Sequence, residues 1–587
     1  MKLFLKQVIH LLDQDKKKLP LMIGFFLTSS ILDLVGIGLI GPYIALLIDI
    51  DIANGLLSNI IDFIGLPTEK EPLIIVIGYI LLFVFILKAI FSIWINKIIV
   101  QFSESQHVRL IKILMSSYQS LSYIHYVRRN SSEYIYSISQ LSNQYANHVV
   151  NPLLRMISDG IVVLVVIFFL AWQSLTALAL LACLVAITMY LYDSLFRNKM
   201  SHYGMQLNLA SEAIIKGVSE GVEGMKEIRV LGKEQFFYQN VIKESDRLAF
   251  FAVKANVVSQ SLRVLLELTM VAFVVSLVLV TLLLSGNIVS LLPTLSIFGV
   301  AALRLFPAIN TFMQSLMQMR YNRDSVSRLF KDLKEIKSVD RDDIETIPSP
   351  EAHEKFQILE LKKVCFFYPD SKNNALENIS LEIHAGESIG FIGPSGSGKT
   401  TLLDALLGLF EPQKGVIEYN SRNIKNNLKE WQSQIAYIPQ EIFLIHGSLR
   451  HNVALGINEE DIDDNRLNES LRQARLSDMV ENLPEGVNTI LGERGIRFSG
   501  GQRQRVALAR AFYHGRNILV MDEATSALDS ETEKEIVSEI ERLKGNKTMI
   551  VIAHRLTTLK HCDRIYKLQD GKIVNMGSYS EIIGEEN

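Results

Sequence analysis

The chain has 587 residues, a formal net charge of −3, 49% hydrophobic residues and a mean hydropathy of +0.23. That length exceeds what one hydrophobic core organises, so at least two domains are expected. The lack of a basic excess argues against a nucleic-acid partner, and the three separated cysteines, Cys183, Cys365 and Cys562, show no metal-ligand spacing.

Apolar runs near residues 20–48, 73–99, 149–171, 175–196, 262–285 and 290–317 each supply the roughly 20 residues that cross a bilayer. They predict an all-α transmembrane domain of six spans over 1–318. The first run is too long for a cleavable signal and others follow it. Lys16, Lys17 and Lys18 precede span one, Arg109, Lys112, Arg128 and Arg129 follow span two, and Arg320 and Arg323 follow span six, while the loop from Asp49 to Glu71 is net acidic. The positive-inside rule then places both termini in the cytoplasm. The segments 100–148 and 197–250 form helix readily, so the spans are expected to continue as stalks with turns at Tyr126–Ser132 and Gly224–Phe237. In GLLSNIIDFIG, 55–65, steps of 100° put Leu56, Leu57, Ile60, Ile61, Phe63 and Ile64 opposite Ser58, Asn59 and Asp62. This suits a helix on the outer membrane surface or one packed on the span ends.

Charges at membrane depth are costly and mark a partner or a cavity. Asp33 and Lys88 fall at similar depth and can pair, and Arg263 and Glu267 stand four apart on one helix face. Arg304, in VAALRLFPAIN, has no acid on its own helix. It meets Asp33, Glu267 or a carbonyl freed by Pro307, or else Lys88, Arg263 and Arg304 line a cavity whose surplus positive charge, doubled in a dimer, suits an anionic phosphate head.

A charged linker, 319–355, leads to a second domain, 356–587, expected to be an α/β P-loop NTPase. The strand pattern ESIGFIG runs into GPSGSGKT, Gly393 to Thr400, and then the helix TLLDALLGLF. That context makes G-x-x-x-x-G-K-[ST] a phosphate cradle. Backbone amides through Gly393, Ser395, Gly396, Ser397, Gly398 and Thr401 face the phosphates, Lys399 reaches the β- and γ-phosphates, and Thr400 ligates Mg²⁺. Downstream, NILVMDEATSALD places Asp522 at a strand end to hold the Mg²⁺ shell and Glu523 to orient or deprotonate a water.

FSGGQRQR, 498–505, resembles the signature motif of ATP-binding cassette proteins, with Phe498 where Leu is more usual. The resemblance implies that Tyr368 stacks on adenine, that Gln440 touches Mg²⁺ and the membrane domain, and that LGERG from Leu491 meets the partner's turns. It also implies that Asp529 belongs to the nucleotide site and that His554 contacts the γ-phosphate. Ser499, Gly500, Gly501 and Gln502 would complete the ATP site of a second copy. Six spans before one cassette resemble a bacterial half-size exporter, implying a homodimer in the inner membrane with ATP and Mg²⁺ as cofactors. DLVGIGLIGPYIALL, MKEIRVLGKEQFF and ALRLFPAINTF resemble flippases of lipid-linked oligosaccharides, implying an anionic polyprenyl-pyrophosphate cargo. The alternatives are a multidrug or lipid A exporter, or a nucleotide-gated channel or sensory ATPase; the intact Lys399, Asp522, Glu523 and His554 set speaks against gating alone.

Overall fold

The computed structural model describes residues 2–47, 70–285, 292–338, 355–369, 371, 373–492, 495, 498–523, 530–552 and 556–584. They form two units, Met1–Leu121 with His125–Asp342, and Ser122–Ile124 with Asp343–Asn587.

The first unit is helical. Its long helices are α1 (Lys2–Leu12), α2 (Leu19–Leu47), α3 (Lys70–Gln119), α4 (Asn151–Gln173), α5 (Leu175–Glu223), α6 (Glu234–Ser285), α7 (Leu292–Tyr321) and α8 (Arg323–Ser338). Among the described residues, five stretches are long and apolar enough to cross a membrane: Lys2–Gly36, Glu71–Gln119, Ser131–Trp172, Leu175–Glu223 and Glu234–Val280. The sixth expected span, 290–317, falls almost wholly within α7, and the surface helix expected at 55–65 lies outside the described residues. Helices α3, α5 and α6 have 50, 49 and 52 residues. At 1.5 Å per residue they reach about 75 Å, against a hydrocarbon core of about 30 Å, so they continue past the bilayer as stalks.

Both expected turns contain a short helix. The first, Tyr123–Val127, begins earlier than the 126–132 stretch singled out from sequence. The second, Met225–Leu231, is closed by Gly232 in the left-handed conformation (φ 61°), which a residue without Cβ adopts freely. Leu262, Tyr192 and Met313 belong to one buried cluster of the unit, and Phe26, Leu110, Tyr145 and Val326 to another. Outward-facing Phe83, Phe168 and Tyr190 are exposed, as lipid-facing residues are. Helix α5 crosses α7 so closely at Gly204 that a Cβ there would stand 1.7 Å from the Tyr321 carbonyl oxygen. Gly204→Ala should therefore force the helices apart at a cost of about 1–3 kcal/mol. Thermal unfolding in detergent checks this, and an unchanged midpoint would contradict the close packing.

The second unit has a four-stranded antiparallel sheet, ordered β2-β1-β4-β5, from β1 (Ile358–Phe366), β2 (Leu376–His384), β4 (Lys414–Tyr419) and β5 (Arg422–Asn423). The larger sheet is ordered β10-β9-β3-β8-β7-β6, from β3 (Ser388–Ile392), β6 (Ile435–Ile438), β7 (Ile518–Asp522), β8 (Thr548–Ile552), β9 (Arg564–Gln569) and β10 (Lys572–Gly577). All its pairings except β9 with β10 are parallel. Every residue of β3, β7 and β8 is buried, which is why these strands read as unbroken apolar runs rather than alternating ones. The carboxyl ends of β3 and β7 face the crevice where such sheets bind ligands.

Candidate functional site

After β3 the chain turns through Gly393, Gly396 and Gly398 (φ 151°, 81° and 100°) into helix α9 (Lys399–Leu406). A Cβ at Gly393 would meet the Leu568 carbonyl oxygen at 2.1 Å, so the loop is close-packed as well as left-handed. Lys399 is buried, and its Nζ donates to the carbonyls of Gly393 (2.8 Å) and Pro394 (2.9 Å), folded into the loop's own mouth. Burial holds its ammonium below the ordinary lysine value, while Glu523 and Asp522 act the other way. Among the described residues, the buried Ser397 hydroxyl has no hydrogen-bond partner. An orphaned donor beside a lysine and a ring of backbone amides fits a bound phosphate chain. Thr400 is exposed at the loop rim, and Thr401 is buried with its hydroxyl 3.2 Å from that of Tyr368. The Tyr368 ring is partly exposed and sits edge-on to Phe366 and Phe410, so it stands beside the loop.

Buried Asp522 ends β7, and Glu523 follows in the left-handed conformation (φ 49°). A non-glycine residue there carries strain of order 1 kcal/mol that surrounding contacts must hold. The Glu523 amide donates to the Ile552 carbonyl at 2.9 Å, and the Gln440 amide donates to its carboxylate at 2.9 Å. The geometry thus joins Gln440 to Glu523 across two strands. Ser499 caps helix α10 (Gly500–His514): its hydroxyl accepts from the Gln502 amide, and Gln502 returns a bond to the Ser499 amide at 2.8 Å. This capping box holds Gly500 and Gly501 at the helix start. No hydrogen bond joins Ser499–Gln502 to the phosphate loop among the described residues. Phe498 is buried in the core, which suits a bulky apolar side chain in place of Leu. Asp529 and His554 lie outside the described residues.

Asp404 was not singled out from sequence, although it stands four residues after Thr400 and so on the same face of α9. Burial raises its carboxyl to about 6, with Asp522 adding to the effect. The folded protein therefore keeps this proton up to about pH 6, while an unfolded chain releases it near 3.8. Nucleotide-free protein loses stability as pH rises through that window. Asp404→Asn should remove the loss, raising the thermal midpoint at pH 8 and leaving it nearly unchanged at pH 4; an equal shift at both would contradict the assignment.

In the helical unit Lys88 and Arg304 converge on one carboxylate. Asp33, 1% exposed, receives the Lys88 ammonium at 2.5 Å and the Arg304 guanidinium at 2.7 Å. Asp159 on α4, also missed from sequence, lies within electrostatic reach of Arg304, Arg155 and Asp33 and bonds Thr311. Arg263 stands apart, paired on its own helix with Glu267 at 3.0 Å, and both are exposed. The three basic residues expected in one cavity are thus divided between two acids.

A family model described as ABC transporter matches residues 376–526. The ATP-dependent lipid A-core flippase of Cupriavidus pinatubonensis is 43% identical over 227 residues, only 38% of each chain. The protein of the same name from Bordetella avium is 31% identical over 449 residues, 75% of this chain and 73% of its own. The structure of a bacterial Atm1-family ABC exporter with ATP bound has the same fold, with a TM-score of 0.77 at 19% identity, covering 99% of this chain and 96% of that one.

Proposed function

We propose, for a chain that belongs to the ABC transporter family and so couples ATP hydrolysis to transport, that two copies flip a phosphate-bearing glycolipid to the outer leaflet of a bacterial inner membrane. The observation that carries the motor is the Gln440–Glu523 contact beside the Lys399 loop. Lys399 leaves the loop carbonyls to neutralise the β- and γ-phosphates, and Tyr368 supports the adenine. Thr400, Asp522 and Gln440 would hold Mg²⁺, which offsets phosphate charge when bound. Glu523, fixed by its own strained backbone, orients and deprotonates the attacking water. By the resemblance to ATP-binding cassette proteins, His554 would contact the γ-phosphate and Asp529 would belong to the nucleotide site. Ser499, Gly500, Gly501 and Gln502 close over the nucleotide of the other copy, the arrangement that makes one exposed helix start useful and a homodimer necessary. The short helices at Tyr123 and Met225 carry that closure to the spans, whose basic ends face the cytoplasm.

The cargo class is an anionic sugar head on an apolar tail. The relatives' names favour a lipid A-core molecule, and the resemblance of two span stretches and one cytoplasmic-turn stretch favours a polyprenyl-pyrophosphate oligosaccharide. Lys88 and Arg304 share the single Asp33 carboxylate, which offsets one of their two charges, so cargo recognition does not rest on these two residues alone. Stimulation of ATP hydrolysis in proteoliposomes by lipid A, by a polyprenyl-linked oligosaccharide and by neutral hydrophobic drugs separates the readings. Either glycolipid should stimulate turnover; stimulation by the drugs alone would overturn the cargo class.

A further inference from the structure

Helices α1, α5, α7 and α8 line a half-open cavity of about 640 Å³, away from both sites described above. Its ionisable lining is Arg197 and His202 from α5, Arg320 from α7, and Arg323 and Asp324 from the start of α8. Phe4, Met205 and Met319 supply an apolar side. The volume falls in the usual range of ligand pockets, and apolar walls with a few convergent polar groups are their usual lining.

The charges do not cancel inside the cavity. Arg320 is paired with Asp193. Asp324 is held by the Arg328 guanidinium at 2.9 Å and by the Asn208 amide at 3.0 Å. Arg197 and Arg323, both exposed, have neither an ion pair nor a hydrogen bond among the described residues. Two unneutralised guanidinium groups therefore line the cavity. The first turn of α8, a helix of 16 residues, adds its positive end at Arg323 and Asp324.

Position narrows the ligand. Arg197 directly follows the apolar run 175–196, and Arg320 follows the run 290–317 by three residues. The cavity thus lies where the hydrocarbon gives way to the headgroup layer. Helix α1, which contributes Phe4, presents Leu3 and Ile9 outward, as a helix resting on a membrane surface does. Planar guanidinium groups match phosphate oxygens in pairs, and the Phe and Met side chains suit the apolar base of a headgroup.

We propose that this cavity binds the phosphate group of an anionic lipid from the cytoplasmic leaflet, with Arg197 and Arg323 as its ligands. The assignment of leaflet rests on the orientation proposed above. The phosphate can come from a resident phospholipid or from the transported glycolipid. The test uses the full-length protein in nanodiscs of phosphatidylcholine alone, with added phosphatidylglycerol, or with added lipid A, and counts bound lipid by native mass spectrometry. The double variant Arg197→Ala/Arg323→Ala should weaken anionic-lipid binding by about tenfold, as expected for two lost charge-assisted contacts. The Arg197→Lys/Arg323→Lys variant should retain most of it, and phosphatidylcholine binding should stay as it was. An unchanged thermal midpoint in phosphatidylcholine shows that the alanine variant folds. Loss in the lipid A arm alone identifies an entry point for cargo; loss with phosphatidylglycerol, alone or as well, identifies a general lipid-phosphate site. Equal binding by wild type and the alanine variant in both anionic arms overturns the proposal. A wild-type protein that binds phosphatidylglycerol here but moves no glycolipid would sink the transport reading and leave this site standing.

Discussion

Glu523→Gln is expected to lower ATP turnover by about 10²–10⁴-fold, the usual contribution of a positioned general base, while ATP still binds. The substitution keeps the side chain's size and its contact with Gln440, and the left-handed backbone at Glu523 is set by the fold around it. What it removes is the carboxylate proposed to accept the proton. Lys399, Ser397 and the loop amides are untouched, so nucleotide should accumulate in the closed dimer. Phosphate release and retained nucleotide measured on the same sample check this. Turnover within tenfold of the wild type would show that another group is the base.

Asp33→Asn is the second large effect. The carboxylate is almost fully buried and holds two cations, Lys88 and Arg304. Removing the acid of a buried ion pair leaves uncompensated charge, at a cost of about 3–5 kcal/mol. Arg304→Ala should be milder, because it leaves the Lys88–Asp33 pair intact. Thermal unfolding in detergent should rank the variants in that order. If Lys88 and Arg304 instead exist to hold an anionic cargo, Asp33→Asn would free them, and glycolipid-stimulated ATP hydrolysis would rise with no loss of stability.

Much of the nucleotide site was legible because its parts are local. A parallel strand buried on both faces writes an unbroken apolar run, so ESIGFIG and NILVMD announced β3 and β7, with the Lys399 loop following the first and Asp522 ending the second. The signature stretch Ser499–Gln502 is likewise contiguous, while the capping box that fixes it emerged only with the fold. The spans were legible through length and apolarity. What the sequence left open depended on packing between distant segments. Arg304 and Asp33 are 271 residues apart, and no periodicity says which of several acids the arginine meets. Asp159 and Asp404 have ordinary-looking neighbours, and their importance follows only from the charges folding brings to them. The left-handed backbone at Glu523 accompanies its amide's bond to the Ile552 carbonyl, a contact between segments far apart in sequence. The cavity at Arg197 and Arg323 needs four helices to exist at all.

Hydrolysis at Glu523 is proposed to drive movement of a phosphate-bearing glycolipid across the membrane. The most direct measurement places wild type and Glu523→Gln in sealed proteoliposomes holding a fluorescent glycolipid, and follows its accessibility to a membrane-impermeant quencher after ATP is added. Wild type should change that accessibility in an ATP-dependent manner, and the variant should not. Equal movement by both, or ATP turnover by wild type with no movement, would contradict the account.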